Sequence, residues 1–459
     1  MLSPSIEIIQ LVGAFGPFFT KPTFQKVQML LYGAILAPGK RTVTAVLSIL
    51  GLEQTGNFGK YHRVLNRSPW STWLLSKTLL ALLVFYFVPS DQPLRILCDL
   101  TLERRAGKKI RYKGWFHDAV RSTAGKVVTS LGLRWLCLSL LVQVPWCERP
   151  WALPFMVILV PSEKTCKRLK KRHRKPVWWT AFALEKLRAW YPERGIIAVG
   201  DSGFAAIELI HTCRQLNVTL VTRLRTDAQL YDFPGPQPSN KRGPKPKKGA
   251  QLPTLDARLS DPKTQWQPTT LAWYGGIKKD IEYTTGTCLW YKAGNDPAPL
   301  RWVLTRYEET SARTGKVKIK AAGFLCSDTT DPTLSADTIL SWFVGRWNIE
   351  VTFEEMRAHM GLETQRNWSV RAIERTTPCL FGVFSLVVLM AKQLYPTQLP
   401  VRSRLWYSKD EATFSDVLGA VRTHLWRAMN YTQSPQQTEL CLIPKAIWQR
   451  LQQAACYAA

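Results

Sequence analysis

The chain has 459 residues, with 62 Lys and Arg against 33 Asp and Glu, for a formal charge of +29. Such a length buries a sizeable core and corresponds to about two to four domains. With 46% apolar and 11% aromatic residues it is no disordered polycation, and a folded chain with this much self-repulsion implies a polyanionic partner, either nucleic acid or an anionic membrane face.

Residues 1–92 read as helical, with helices expected over Phe24–Leu36, Thr42–Leu50 and Asn57–Asn66. The second and third flank a Gly-containing turn, and the third segment carries Lys60, His62, Arg63 and Arg67. This suits a helix-turn-helix as well as a plain bundle with solvated basic residues. Apolar runs of about ten residues, such as Leu79–Val88, Trp151–Val160 and Leu380–Met390, are too short for a membrane span, which needs about 20 residues, and read as core strands or helices.

From residue 93 to 230 the pattern becomes α/β. Leu94–Leu100, Lys109–Gly114 and Leu133–Gln143 read as strands. The run Lys164–Lys175 is densely basic, through Lys167, Arg168, Lys170, Lys171 and Arg172, and leads into a helix over Trp178–Tyr191. Strand Gly195–Val199, helix Ala205–Leu216 and strand Val218–Arg223 follow. Residues 231–330 read as a β-rich insertion with short strands expected over Thr270–Trp273, Asp280–Thr284, Cys288–Lys292 and Leu300–Thr305, opened by a Pro/Gly-rich basic loop with Lys241, Arg242, Lys245, Lys247 and Lys248, suited to lie along phosphates. Residues 331–367 hold a helix spanning 335–362, and 368–459 read as helical again, with a role in dimer contacts expected there. The ten cysteines show no CxxC pair and no metal-ligand spacing, which points to reduced thiols in the cytoplasm.

In so basic a chain the acids at strand ends stand out. Asp99 closes the apolar run ILCDLT, and Asp201 sits where GIIAV meets the turn GDSGF. Such positions lie at sheet edges where ligands bind, although Asp201 also reads as a helix cap. In WFVGRWNIEVTFEEMRAHM, Trp342, Ile349, Phe353, Met356 and Met360 share a stripe about 60° wide at 100° per residue. Phe343, Arg346, Glu350 and Arg357 form a second stripe about 90° away, with Glu354 as a rival to Glu350. Two Asp and one Glu from separate segments suit hard cations, which take oxygen ligands, and two ions roughly 4 Å apart serve phosphodiester chemistry.

These residues resemble a known family. RWNIEVTFEEMR with Phe343 and Arg357 is similar to the Tyr-x2-Arg-x3-Glu-x6-Lys signature of cut-and-paste DDE transposases. The likeness is to the insertion sequence 4 group and, within it, the insertion sequence 701 branch. ILCDLT and VGDSGF resemble that family's two Asp segments. The resemblance spans about residues 94–366 and implies an α/β, RNase H-like catalytic domain with a β-rich insertion. It implies Asp99, Asp201 and Glu350 as catalytic ligands of Mg²⁺, or Mn²⁺, and Phe343, Arg346 and Arg357 at DNA. Phe343 stands where the family has Tyr, and Arg357 where it has Lys. Trp290 and Trp302 are candidates to hold a flipped base, against the plainer reading of sheet packing.

The expectation is therefore a transposase that binds its element's terminal inverted repeats, cleaves the ends and joins them to target DNA. Its partner is double-stranded DNA, engaged as a homodimer in the cytoplasm, with no membrane and no small-molecule cofactor. The rivals are an RNase H-fold nuclease without strand transfer and an inactive DNA-binding protein.

Overall fold

The computed structural model describes residues 4–123, 125–235, 246–273, 277–310, 315, 317–403, 405–406, 408–428 and 445–457. Five helices open the chain: α1 (Ile6–Gly13), α2 (Lys21–Leu36), α3 (Val43–Ser48), α4 (Gly59–Asn66) and α5 (Thr72–Phe87). Strands β1 (Leu94–Arg104), β2 (Gly114–His117), β3 (Thr129–Val142) and β4 (Trp151–Leu159) follow, then α6 (Glu163–Arg168) and α7 (Pro176–Trp190). Next come β5 (Ile196–Gly200), α8 (Ile207–Gln215), β6 (Val218–Leu224), β7 (Leu230–Tyr231) and α9 (Leu255–Ser260). After these run β8 (Gln267–Ala272), β9 (Lys278–Trp290), β10 (Ala298–Thr310) and β11 (Val317–Cys326). The chain ends with α10 (Ala336–Gly345), α11 (Trp347–His359), α12 (Val370–Leu394), α13 (Phe414–Ala428) and α14 (Lys445–Cys456).

Two compact units emerge, one of residues 1–90, 100–173 and 349–459, the other of residues 91–99 and 174–348. In the second unit the first half of β1 runs parallel to β5, with Leu94 opposite Ile196 and Cys98 opposite Gly200, and β5 runs parallel to β6. These strands are near-continuous apolar runs because a parallel strand is covered on both faces. β11 pairs antiparallel with β6, and β10 and β9 extend the sheet, so the β-rich segment joins the parallel strands directly. In the first unit β2, β3 and β4 pair antiparallel, and β3 lies beside the second half of β1, where Arg105 N donates to Leu131 O at 3.1 Å. The strand orders β4–β3–β1 and β1–β5–β6 are those of an RNase H-like α/β fold.

The first unit gathers helices from both ends of the chain around α12, which packs on β4, α5 and α13. This helix is long and apolar enough to cross a membrane by composition, yet most of it is buried in the unit's core. The expected helices of residues 1–92 form, and Val43, Leu47 and Tyr61 join α3 and α4 in one cluster. The linker 49–58 is longer than the turn of three or four residues in a helix-turn-helix.

Three expected elements change form. Residues 109–113 are no strand, and β2 begins at Gly114. The two short strands expected at 280–284 and 288–292 are one long strand, β9. The single helix expected over 335–362 is two, because after Gly345 the backbone tightens and Arg346 N bonds Phe343 O, three residues back, at 3.0 Å. That break changes the helical phase. Ile349, Phe353, Met356 and Met360 are buried as expected, whereas before the break Ile339, Leu340 and Phe343 face inward and Trp342 is half-buried.

Candidate active site

Within the second unit, the pairing of Cys98 with Gly200 puts Asp99 and Asp201 one residue beyond the last paired position of neighbouring parallel strands. This is the carboxyl end of an open α/β sheet, where ligands bind. Gly200 is required there: a Cβ would meet the buried Phe204 ring at 2.7 Å. The chain then turns sharply and Asp201 Oδ1 accepts from Gly203 N at 2.9 Å. Asp201 caps this single tight turn and not α8, which begins at Ile207 without a side-chain cap. Asp99 is paired with Arg346, whose Nη1 donates to Asp99 Oδ2 at 2.7 Å, both side chains being little exposed. The helix break sets Arg346 at the junction of α10 and α11.

Phe343 is a core residue, 3% exposed, with its ring edge-on to Phe324 at 4.8 Å. An aromatic so enclosed has no face open to DNA, which corrects the surface role expected for it. Trp302 is likewise buried, under the Arg258 guanidinium, and packs the sheet as the plainer reading held. Trp290 is half-buried at the end of β9, opposite Ala298 and Leu230.

In the first unit, Glu350 lies half-buried in the opening turn of α11, and Glu354 one turn on is exposed. Glu355 is partly buried, and desolvation pushes its carboxyl up to about 7. Arg357 turns inward. Its Nη2 donates to Thr101 Oγ1 at 2.9 Å and to Leu102 O at 3.3 Å, and its Nη1 to Phe353 O at 3.1 Å. Its Nε faces Glu363 Oε1 at 3.5 Å. The partners Thr101 and Glu363 were not singled out from the sequence. The available signal was the charged continuation of the first strand, TLERR, which carries β1 past Leu100.

The basic run divides into different environments. Lys167 pairs with Glu163 at 2.8 Å on α6, and Arg168 caps the carbonyls of Arg111 and Lys113 at 2.7 and 3.2 Å. Lys171 binds the Tyr112 hydroxyl and lies over its ring, while Lys170 and Arg172 are exposed. In the second unit Lys247 pairs with Asp296, and Lys248 Nζ lies over the Tyr231 and Tyr291 rings at 3.6 and 4.1 Å. Lys241, Arg242 and Lys245 lie outside the described residues.

Among the described residues no three His, Cys, Asp or Glu side chains are grouped as a metal-binding set. The Asp99 and Asp201 pair still fits a hard divalent cation by its chemistry: both donors are carboxylates, and Asp99 already holds a cationic partner. The described cysteines are all free thiols, most of them buried, and burial pushes Cys213, Cys288 and Cys326 up to about 12.

A comparison with curated protein sequences gives no match. Among solved structures, the chain is similar at a TM-score of 0.39 and 10% identity to a cryo-EM structure titled as a piggyBac transposase synaptic complex with hairpin DNA, over 97% of this chain and 81% of that one. The family model described as DDE superfamily endonuclease matches residues 14–280, more than half of the chain and a span that holds both Asp99 and Asp201. The chain belongs to the DDE superfamily endonucleases.

Proposed function

We propose that the chain is a DNA transposase of the cut-and-paste kind, resembling the insertion sequence 4 group and, within it, the insertion sequence 701 branch. The observation that carries this reading is the pair Asp99 and Asp201, each one residue beyond the last paired position of the parallel strands β1 and β5, inside the span matched by the endonuclease family. Glu350, from the first turn of α11, is the third ligand in this reading, and Mg²⁺ the bound ion, with Mn²⁺ able to replace it. When bound, such ions activate the attacking oxygen and stabilise the leaving one. Water opens the phosphodiester at each terminal inverted repeat, and the freed 3′-OH then attacks a phosphodiester of the target.

The partner is double-stranded DNA, held by the chain's excess positive charge, with Lys170 and Arg172 among its exposed contacts. Two ends joined in one event call for a homodimer on DNA, working in the cytoplasm. The test supplies, in parallel, uncut ends and pre-cut ends bearing 3′-OH groups, each with a supercoiled target plasmid and Mg²⁺. A transposase gives joined product that disappears when EDTA replaces Mg²⁺. Cleavage of uncut ends with no joined product reduces the protein to a nuclease, and binding with neither product reduces it to a DNA-binding protein.

A further inference from the structure

The first unit contains a polar chain that the reaction itself does not use. Arg104 grips Asp118 with two nitrogens, Nε to Oδ2 and Nη2 to Oδ1, both at 2.7 Å, and its Nη1 reaches Glu363 Oε1 at 2.9 Å. Asp118 is buried, takes a further bond from Ser130 Oγ at 2.6 Å, and is held well below the usual carboxylate range by the Arg104 guanidinium. Glu363 in turn faces Arg357, and Arg357 reaches Thr101 and the Leu102 carbonyl on β1. The polar chain therefore runs from Asp118 through Arg104, Glu363 and Arg357 to β1.

Two features show that this arrangement is specified. Glu363 holds a φ of 78°, in the left-handed region that a residue with a Cβ adopts at a cost, and its carboxylate is anchored there by two arginines. The Arg357 fork spans strand and helix at once, bonding β1 through Nη2 and its own helix through Nη1. A single ammonium cannot reproduce that planar two-sided grip. With its guanidinium turned to these partners, Arg357 is only about a quarter exposed.

We infer that Arg357 is a positioning residue: it fixes α11 against the second half of β1, and so sets the helix that carries Glu350, instead of binding a DNA phosphate. The inference rests on the proposed role of Glu350 as a metal ligand. The test compares wild type with Arg357→Gln, Arg357→Lys and Thr101→Val, the last of which removes no charge. Binding of a terminal-repeat duplex is titrated against salt in EDTA, and the Mg²⁺ concentration for half-maximal cleavage is measured separately.

The positioning role predicts an unchanged slope of log K against log salt in all three variants. It also predicts a half-maximal Mg²⁺ concentration raised about tenfold or more in Arg357→Gln and, in the same direction, in Thr101→Val. Arg357→Lys restores little. A slope shallower by about one in Arg357→Gln, with Thr101→Val indistinguishable from wild type, overturns the inference in favour of a phosphate contact. Should wild type not cleave, the proposed function fails, and hydrogen exchange along α11 takes the place of cleavage. Faster exchange in Arg357→Gln and Thr101→Val at unchanged salt slope supports positioning, and unchanged exchange overturns it.

Discussion

Glu355 faces His359 Nε2 at 3.3 Å and is largely withdrawn from water, so its proton is held to about pH 7 against an ordinary value near 4.5. Burial also pulls His359 down, so the pair does not become a strong ion pair at neutral pH. The consequence for stability has a definite sign. Between about pH 4.5 and 7 the unfolded carboxyl ionises while the folded one stays protonated, so stability falls as pH rises through that window. Replacing Glu355 by Gln is expected to stabilise the protein at pH 8 by about 1–3 kcal/mol and to change little at pH 4.5. Thermal melts of the two proteins at both pH values check this; an equal effect at the two values contradicts it. None of this is readable from the sequence, because the burial of Glu355 depends on the surrounding fold.

At the scale of elements, the apolar runs that mark β1, β5 and β6 were legible because a strand covered on both faces needs them. The adjacency of Asp99 and Asp201 was only half legible: the end of β5 could be read, but β1 continues to Arg104 and the register that makes the two acids neighbours is a property of the pairing. β11 was missed as a separate strand because its first half, VKIK, carries exposed lysines and only its second half, GFLC, is buried. The break at Gly345 and Arg346 escaped a wheel drawn as one continuous helix, and this is why Phe343 was placed on the wrong side. The turn after β5 gives an element-level prediction. Gly200→Ala forces a Cβ onto Phe204 at 2.7 Å, which costs about 1–3 kcal/mol and shifts Asp201. DNA cleavage should drop while DNA affinity, measured by anisotropy, stays within about twofold.

For the whole molecule, the helices at the two ends of the chain form one unit through contacts that no local pattern announces. Arg422 on α13 is fully buried and spends its guanidinium on main-chain carbonyls, Nε on Ile35 O at 2.7 Å, Nη1 on Cys456 O at 2.9 Å and Nη2 on Ala37 O at 3.1 Å. Arg375 on α12 does the same for the end of α4, reaching Ser68 O at 2.8 Å and Trp70 O at 2.7 Å. A basic residue in a helical run reads as solvated, so these two anchors were invisible in the sequence. Arg422→Ala leaves three buried carbonyls without this partner and is expected to cost about 3 kcal/mol or more. Urea unfolding measures that cost, and a change below about 0.5 kcal/mol contradicts the anchoring role.

The strong positive charge, by contrast, was fully legible, and it leads to the measurement that bears most directly on the proposed enzyme. Plasmid carrying the element's own ends is incubated with Mg²⁺ and wild type, Asp99→Asn, Asp201→Asn, Glu350→Gln or Glu354→Gln. Cleavage lost in the first three variants with DNA binding retained, and kept in Glu354→Gln, is the expected result, since Glu354 is exposed and Glu350 is half-buried in the first turn of α11. Cleavage that survives in Asp99→Asn or Asp201→Asn, or that is lost in Glu354→Gln and kept in Glu350→Gln, contradicts the assigned ligand set.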